Sequence, residues 1–290
     1  MRTSFEQRLT TRYGDLTDTL RAAAEYIMHH PLDMATRPLR TVAQASGSSP
    51  AAFTRLSKAL GYTGLDELRE ELRDKIDQRM GDFASRAQRL QEDHGAGKSD
   101  FMTAHLSACQ TNLQTLPESV NLQLLDQAID TLARARVVSL LGALGSTGVV
   151  EYMAYMANMF AGNWQLLGRM GASLGSGLAN MTKDDALVVV TKPPFAPQVL
   201  RAVEIARNQG AYVVVITDTH ACPALRHAQA GFVLPSASPH FYSSYVSTMF
   251  LVEVIIGKLV SHAGEKARLR IANVEDSNRL LSEVLDEDLV

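Results

Sequence analysis

Apolar residues recur at helical spacing through the first quarter of the chain, then give way to continuous apolar runs near its middle. Leu16, Leu20, Ala23, Ala24, Ile27 and Met28 mark one helix that stops at Pro31, and Leu65, Leu68 and Leu72 mark another. The sequence then stays polar and helical in pattern to about Leu116, with a break at Asp93-His94-Gly95-Ala96-Gly97-Lys98-Ser99-Asp100. Its charges are mixed in sign, as on a solvated helix. Beyond Leu124, four short runs read as strands: Arg136–Gly142, Ala186–Thr191, Tyr212–Thr217 and Phe232–Leu234. Helical patterns at 149–159, 199–208, 223–228 and 242–260 separate them. Strands apolar on both faces, alternating with helices, predict a parallel sheet with right-handed crossovers. Ligands of such sheets bind at the carboxyl ends of the strands.

Between the first two helical patterns lies Leu39–Lys58, which reads as two short helices around a turn. Ala43 is small enough to let the helices cross closely. Gly47 supplies the turn, where a left-handed conformation costs glycine least. Ser49 is placed to cap the second helix and Pro50 to occupy its first turn. Val42, Phe53 and Leu56 are expected inside, leaving Ala51, Ala52, Thr54, Arg55 and Lys58 outward. That pattern fits a helix-turn-helix whose second helix enters a DNA major groove. It equally fits an ordinary helical hairpin, and charge tips the balance. No acidic residue lies between Asp33 and Asp66, whereas Arg37, Arg40, Arg55 and Lys58 do. The residues expected at DNA are Arg40, Ser48, Ser49, Ala51, Thr54, Arg55 and Lys58. Ser48 stands just after the turn glycine where an aliphatic anchor is more usual, so a looser turn is expected.

The 290 residues suit two domains. An all-α helix-turn-helix domain is expected over 1–75 and a helical connector over 76–120, followed by an α/β doubly wound parallel-sheet domain over 121–262 and a helical tail over 263–290. The net charge of −3 excludes a uniformly basic nucleic-acid coat, so any DNA-binding surface is local. Cys109 and Cys222 resemble no metal spacing and are expected as thiols in a reducing compartment. The start of the chain lacks a signal-peptide core, and the apolar stretch 246–260 is too short for a bilayer and carries Glu253 and Lys258. A cytoplasmic protein without a membrane partner is expected. Ile271, Val274, Leu280, Leu281, Val284 and Leu285 give the tail an amphipathic pattern suited to packing or oligomer contact.

Gly142-Ala143-Leu144-Gly145-Ser146-Thr147-Gly148 follows the first strand and opens a helix. Glycine backbone, a helix N-terminus and two hydroxyls make an anion cradle. A dinucleotide would also need a carboxylate about 20 residues on. None lies between Glu151 and Asp184, so no cofactor is expected. No metal site is expected either. Asp218, just after a strand, either reaches the ligand crevice or caps the following turn; His240, Ser243 and Ser244 are candidates at the start of the last long helix.

Two phrases together carry a family likeness: Arg55-Leu56-Ser57-Lys58-Ala59-Leu60-Gly61-Tyr62-Thr63-Gly64, and Gly210-Ala211-Tyr212-Val213-Val214-Val215-Ile216-Thr217-Asp218. With the Gly/Ser loop after the first strand, the chain resembles the RpiR/MurR-type bacterial transcriptional regulators, an N-terminal helix-turn-helix joined to a SIS (sugar isomerase) domain. The resemblance implies a homodimer or homotetramer on double-stranded DNA, reading an inverted-repeat operator and sensing a phosphorylated sugar. It implies control of carbohydrate catabolism genes and matches Ser146 to a phosphate-binding serine. The ligand residues so expected are Gly145, Ser146, Thr147, Thr191 and Lys192.

The chain departs from that pattern after the next central strand. Where the family has a Ser-x-Ser-Gly-x-Thr loop, it has Thr191-Lys192-Pro193-Pro194-Phe195-Ala196-Pro197. Prolines donate no N–H, leaving the Thr191 hydroxyl and the Lys192 ammonium. Leu144 also replaces a glycine. Three readings follow: a phosphate held by Lys192 as a point charge, a carboxylate or less polar metabolite against Phe195, or a domain that only dimerises. The competing class is a sugar-phosphate isomerase, for which no convincing base stands at the strand ends.

Overall fold

The computed structural model describes residues 5–80, 83–97, 100–169 and 171–284. The chain divides into two compact units, 1–92 and 93–290. In the first, helices α1 (Phe5–Arg12), α2 (Asp18–His29), α3 (Pro31–Thr36), α4 (Leu39–Ser46), α5 (Pro50–Ala59) and α6 (Leu65–Met80) surround one apolar core. Ile27, Met34, Val42, Phe53, Leu56 and Leu68 fill it, each 1% exposed or less. Helix α7 (Phe83–Gly95) runs through the division between the units in sequence.

The second unit holds α8 (Phe101–Ser119) and α9 (Leu122–Arg134), then β1 (Val138–Gly142), α10 (Thr147–Phe160), β2 (Trp164–Leu166) and α11 (Leu174–Leu178). After these come β3 (Ala186–Val190), α12 (Pro197–Asn208), β4 (Tyr212–Thr217), β5 (Ala230–Val233) and α13 (Val246–Leu280). The five strands are parallel in the order β2-β1-β3-β4-β5. The strands β1 and β3 are buried along their whole length, which is why they read as unbroken apolar runs. Separate apolar clusters lie on the two faces. The order reverses between β1 and β3, so the switch point of the sheet, where ligands bind, lies at their carboxyl ends.

Three features differ from the sequence reading. Strand β2 is an additional edge strand of three residues paired only with β1, too short to show a pattern. The segment expected as helix from Tyr242 becomes helical only at Val246, so Tyr242, Ser243 and Ser244 precede α13. The tail is the continuation of α13, interrupted at Gly264 (φ 61°, ψ −140°), rather than a separate helix. Leu285 of the expected tail pattern lies outside the described residues. By length and composition α13 could cross a membrane, but Leu251, Val252, Ile255 and Leu259 pack into the sheet core.

Candidate functional site

Helix α5 is fixed at both ends. Gly47 ends α4 with φ 65°, and the Ser48 N–H donates to the Ala43 carbonyl at 3.1 Å, closing a Schellman turn. The turn expected to be loose is thus held by backbone bonds. The Ser49 hydroxyl accepts from the Ala52 N–H at 3.3 Å with Pro50 in the first turn. At the other end, Arg12 donates to the Ala59 carbonyl at 2.7 Å and Arg8 to the Gly61 carbonyl at 2.9 Å. Cations there suit the negative end of the helix.

Buried Phe53, Leu56 and Ser57 face inward, and Ser49, Ala51, Thr54, Arg55 and Lys58 face solvent. Ala52 is fully buried, which corrects its outward placement: it lies one position from Phe53, on the flank of the apolar stripe. Arg40 is exposed on α4 and Ser48 is half-buried in the turn. Arg37 is paired with Asp33 at 3.1 Å, whereas Arg40, Arg55 and Lys58 have no ion-pair partner among the described residues. The unit therefore presents a capped and packed helix whose exposed cations have no ion-pair partner among the described residues.

In the second unit the chain ends of β1, β3 and β4 converge. Ser146 follows β1, is 2% exposed, and its hydroxyl lies 3.0 Å from that of Tyr245. Gly145 is approached so closely by the Tyr242 hydroxyl that a Cβ there would collide. Leu144, before it, adopts φ 54°, a left-handed conformation that strains a branched residue. The Thr147 hydroxyl is taken by Arg169 at 3.2 Å, and Arg169 also pairs with Glu151. The Thr191 N–H is spent on the Ile216 carbonyl, extending the β3–β4 ladder.

Lys192 is the polar centre. It is 6% exposed, its Nζ donates to the Ser244 carbonyl at 2.9 Å, and the same ammonium sits 3.9 Å from the Tyr245 ring centroid. Burial lowers its pKa from 10.5 to about 8, and the Asp218 charge opposes that shift. Burial also lifts Tyr245 to about 12, so its phenol stays protonated. Asp218 is 8% exposed; one carboxylate oxygen accepts from the Ser236 hydroxyl at 2.8 Å and the other, Oδ1, is buried without a partner. Among the described residues no N–H of the following turn donates to it, and its charge acts on Lys192.

The structure thus gathers Gly145, Ser146 and Lys192 with Asp218, Tyr242, Ser244 and Tyr245. Thr147 is instead engaged by Arg169, and the Thr191 backbone by the sheet. The two tyrosines had no signal in sequence: they reach the site only because residues 235–245 fold back across the strand ends. Asn112 of α8 holds that segment through two bonds to Ala237, at 2.8 and 3.0 Å.

Residues 3–79 match the helix-turn-helix domain of the rpiR family and residues 131–257 match the SIS domain. A bifunctional protein glk of Burkholderia mallei is 25% identical over 221 residues, covering 74% of this chain. The chain spans about a third of such curated relatives, 32% in that case. Among solved structures, the sugar isomerase domain of an RpiR transcription factor from Sphaerobacter thermophilus aligns with TM-score 0.58 at 18% identity, covering 61% of this chain and 99% of that one. The NanR protein of Vibrio vulnificus, solved with ManNAc-6P, aligns with TM-score 0.57 at 17% identity, covering 96% of this chain and 99% of its own.

Proposed function

From a chain that carries an rpiR-family helix-turn-helix domain joined to a SIS domain, we propose a ligand-responsive transcriptional regulator of carbohydrate or related catabolic genes. The observation that carries this reading is the exposed face of α5, whose Arg55 and Lys58 are left uncompensated while the helix itself is capped and packed. Arg55 and Thr54 approach bases or phosphates. Arg40, Ser48, Ser49 and Lys58 lie on the backbone, and Ala51 lets the helix approach closely. The protein acts as a homodimer or homotetramer in the cytoplasm and reads an inverted-repeat operator. Exposed Phe101, Met102 and Leu106 on α8 and Phe250 on α13 support assembly of copies through the second unit.

The input is a small metabolite taken at the β1/β3 switch point, with Gly145, Ser146, Thr147, Thr191 and Lys192 around it. Its binding shifts the protein between arrangements that differ in half-site spacing. The test is a gel-shift titration at fixed salt. Arg55→Ala is expected to weaken operator binding roughly tenfold or more. Unchanged affinity would remove α5 from the interface. A turnover assay on sugar phosphates bears on the isomerase alternative: turnover that is lost with Lys192→Met would favour an enzyme.

A further inference from the structure

The crevice at the ends of β1, β3 and β4 has a donor and acceptor inventory that is poorly matched to a phosphate dianion. Pro193 and Pro194 offer no N–H. The Ser146 hydroxyl is paired with Tyr245, and the Tyr242 hydroxyl lies over Gly145. One cation, Lys192, stands within the influence of one carboxylate, Asp218. A phosphate would bring two negative charges to Lys192 and Asp218, whose own charges already cancel, and the nearby guanidinium of Arg169, on the Thr147 hydroxyl, is already paired with Glu151.

Two unmet valences remain. An ammonium has three donors; the Ser244 carbonyl and the Tyr245 ring face take up two of them on Lys192, which leaves one for a ligand. Asp218 Oδ1 is a buried acceptor without a partner. Such an atom is costly unless a donor meets it. A ligand that completes the site therefore brings an acceptor with one negative charge and, beside it, a hydroxyl donor.

We propose that the crevice takes an unphosphorylated hydroxy-carboxylate of the sugar-acid class, its carboxylate on Lys192 Nζ and a hydroxyl donating to Asp218 Oδ1. This rests on the reading of the second unit as the sensing half of a regulator. The Lys192 ammonium is the charge that binds the acid, Asp218 selects for the hydroxyl, and the same carboxylate repels a second negative charge.

The experiment is a thermal-shift titration of the full chain with C3–C6 aldonates and ketoaldonates, the matching neutral sugars, and glucose 6-phosphate and N-acetylmannosamine 6-phosphate. A sugar acid is expected to raise Tm by about 5 to 10 °C at a hundredfold excess over Kd, and the phosphates to give no shift. Lys192→Met is expected to abolish the shift and Asp218→Asn to weaken binding roughly tenfold, each variant keeping a cooperative transition without ligand. A shift from phosphorylated sugars alone overturns the proposal, as does a shift from neutral sugars alone. So does the absence of any shift from the acids. None of these outcomes touches the regulator reading, which stands or falls on operator binding by wild type and Arg55→Ala.

Discussion

Helix α5 and the strand-end crevice both carry cations, and they hold them in opposite ways. Arg55 and Lys58 lie in solvent on a helix whose turn, cap and apolar stripe fall within a few residues of one another. Their charge is fully hydrated and becomes useful when a polyanion arrives. Lys192 is already stripped of water and is held by a backbone carbonyl, an aromatic face and a through-space carboxylate. Its charge costs the fold something before any ligand binds. A surface of the first kind recognises its partner by long-range charge. A site of the second kind recognises by the completeness of its hydrogen bonds, and so discriminates between similar small molecules.

The largest effect expected is on the scaffold under α5. Phe53 is fully buried, 6.4 Å from the Tyr26 ring in an edge-on contact, and Phe53→Ala should cost about 3 to 5 kcal/mol. Calorimetry should show the transition of the first unit lowered or lost, together with operator retention. A variant that kept both would mean that α5 does not depend on its core.

The next effect tests the cost of the buried cation. The Lys192 pKa falls from 10.5 to about 8 on folding, so between those values the unfolded chain holds a proton that the folded chain has released. Stability therefore rises with pH across that window, by about 3 kcal/mol in all, and the cost is fully present below pH 8. Lys192→Met should remove this dependence. The difference between wild type and variant in urea melts from pH 7 to 11 isolates it from Tyr245 and Cys222, whose raised pKa values act the other way. A flat difference would mean that the ammonium is hydrated after all.

These two regions also differ in how far the sequence revealed them. The turn at Gly47, the Ser49 cap and the buried Val42, Phe53 and Leu56 were legible because each depends on neighbours within one or two helical turns. Ala52 was misplaced because a methyl group gives no sign of which flank it packs on. The sheet was legible from its unbroken apolar strands, save β2, whose three edge residues bear no period. The crevice was half legible. Ser146 and Lys192 could be placed by topology, since ligands sit at strand ends. Tyr245 meets Ser146 across 99 positions of sequence, through a segment without regular structure that only tertiary bonds hold in place. No local pattern could announce that contact.

The smallest effect separates what stabilises α5 from what it recognises. Ser49→Ala removes the bond to the Ala52 N–H and should destabilise the first unit by about 1 kcal/mol, read as a lower urea midpoint at unchanged slope. Ser49→Asp keeps a capping oxygen and adds a negative charge at the positive end of the helix dipole, so stability should return to wild type or exceed it. The same charge would stand where a phosphate is expected to approach, and operator affinity should fall even as stability recovers. Stability and affinity then move in opposite directions in one variant. Recovery of both would mean that the N-terminus of α5 faces away from the duplex, and that the exposed cations Arg55 and Lys58 reach the DNA from some other edge of the helix.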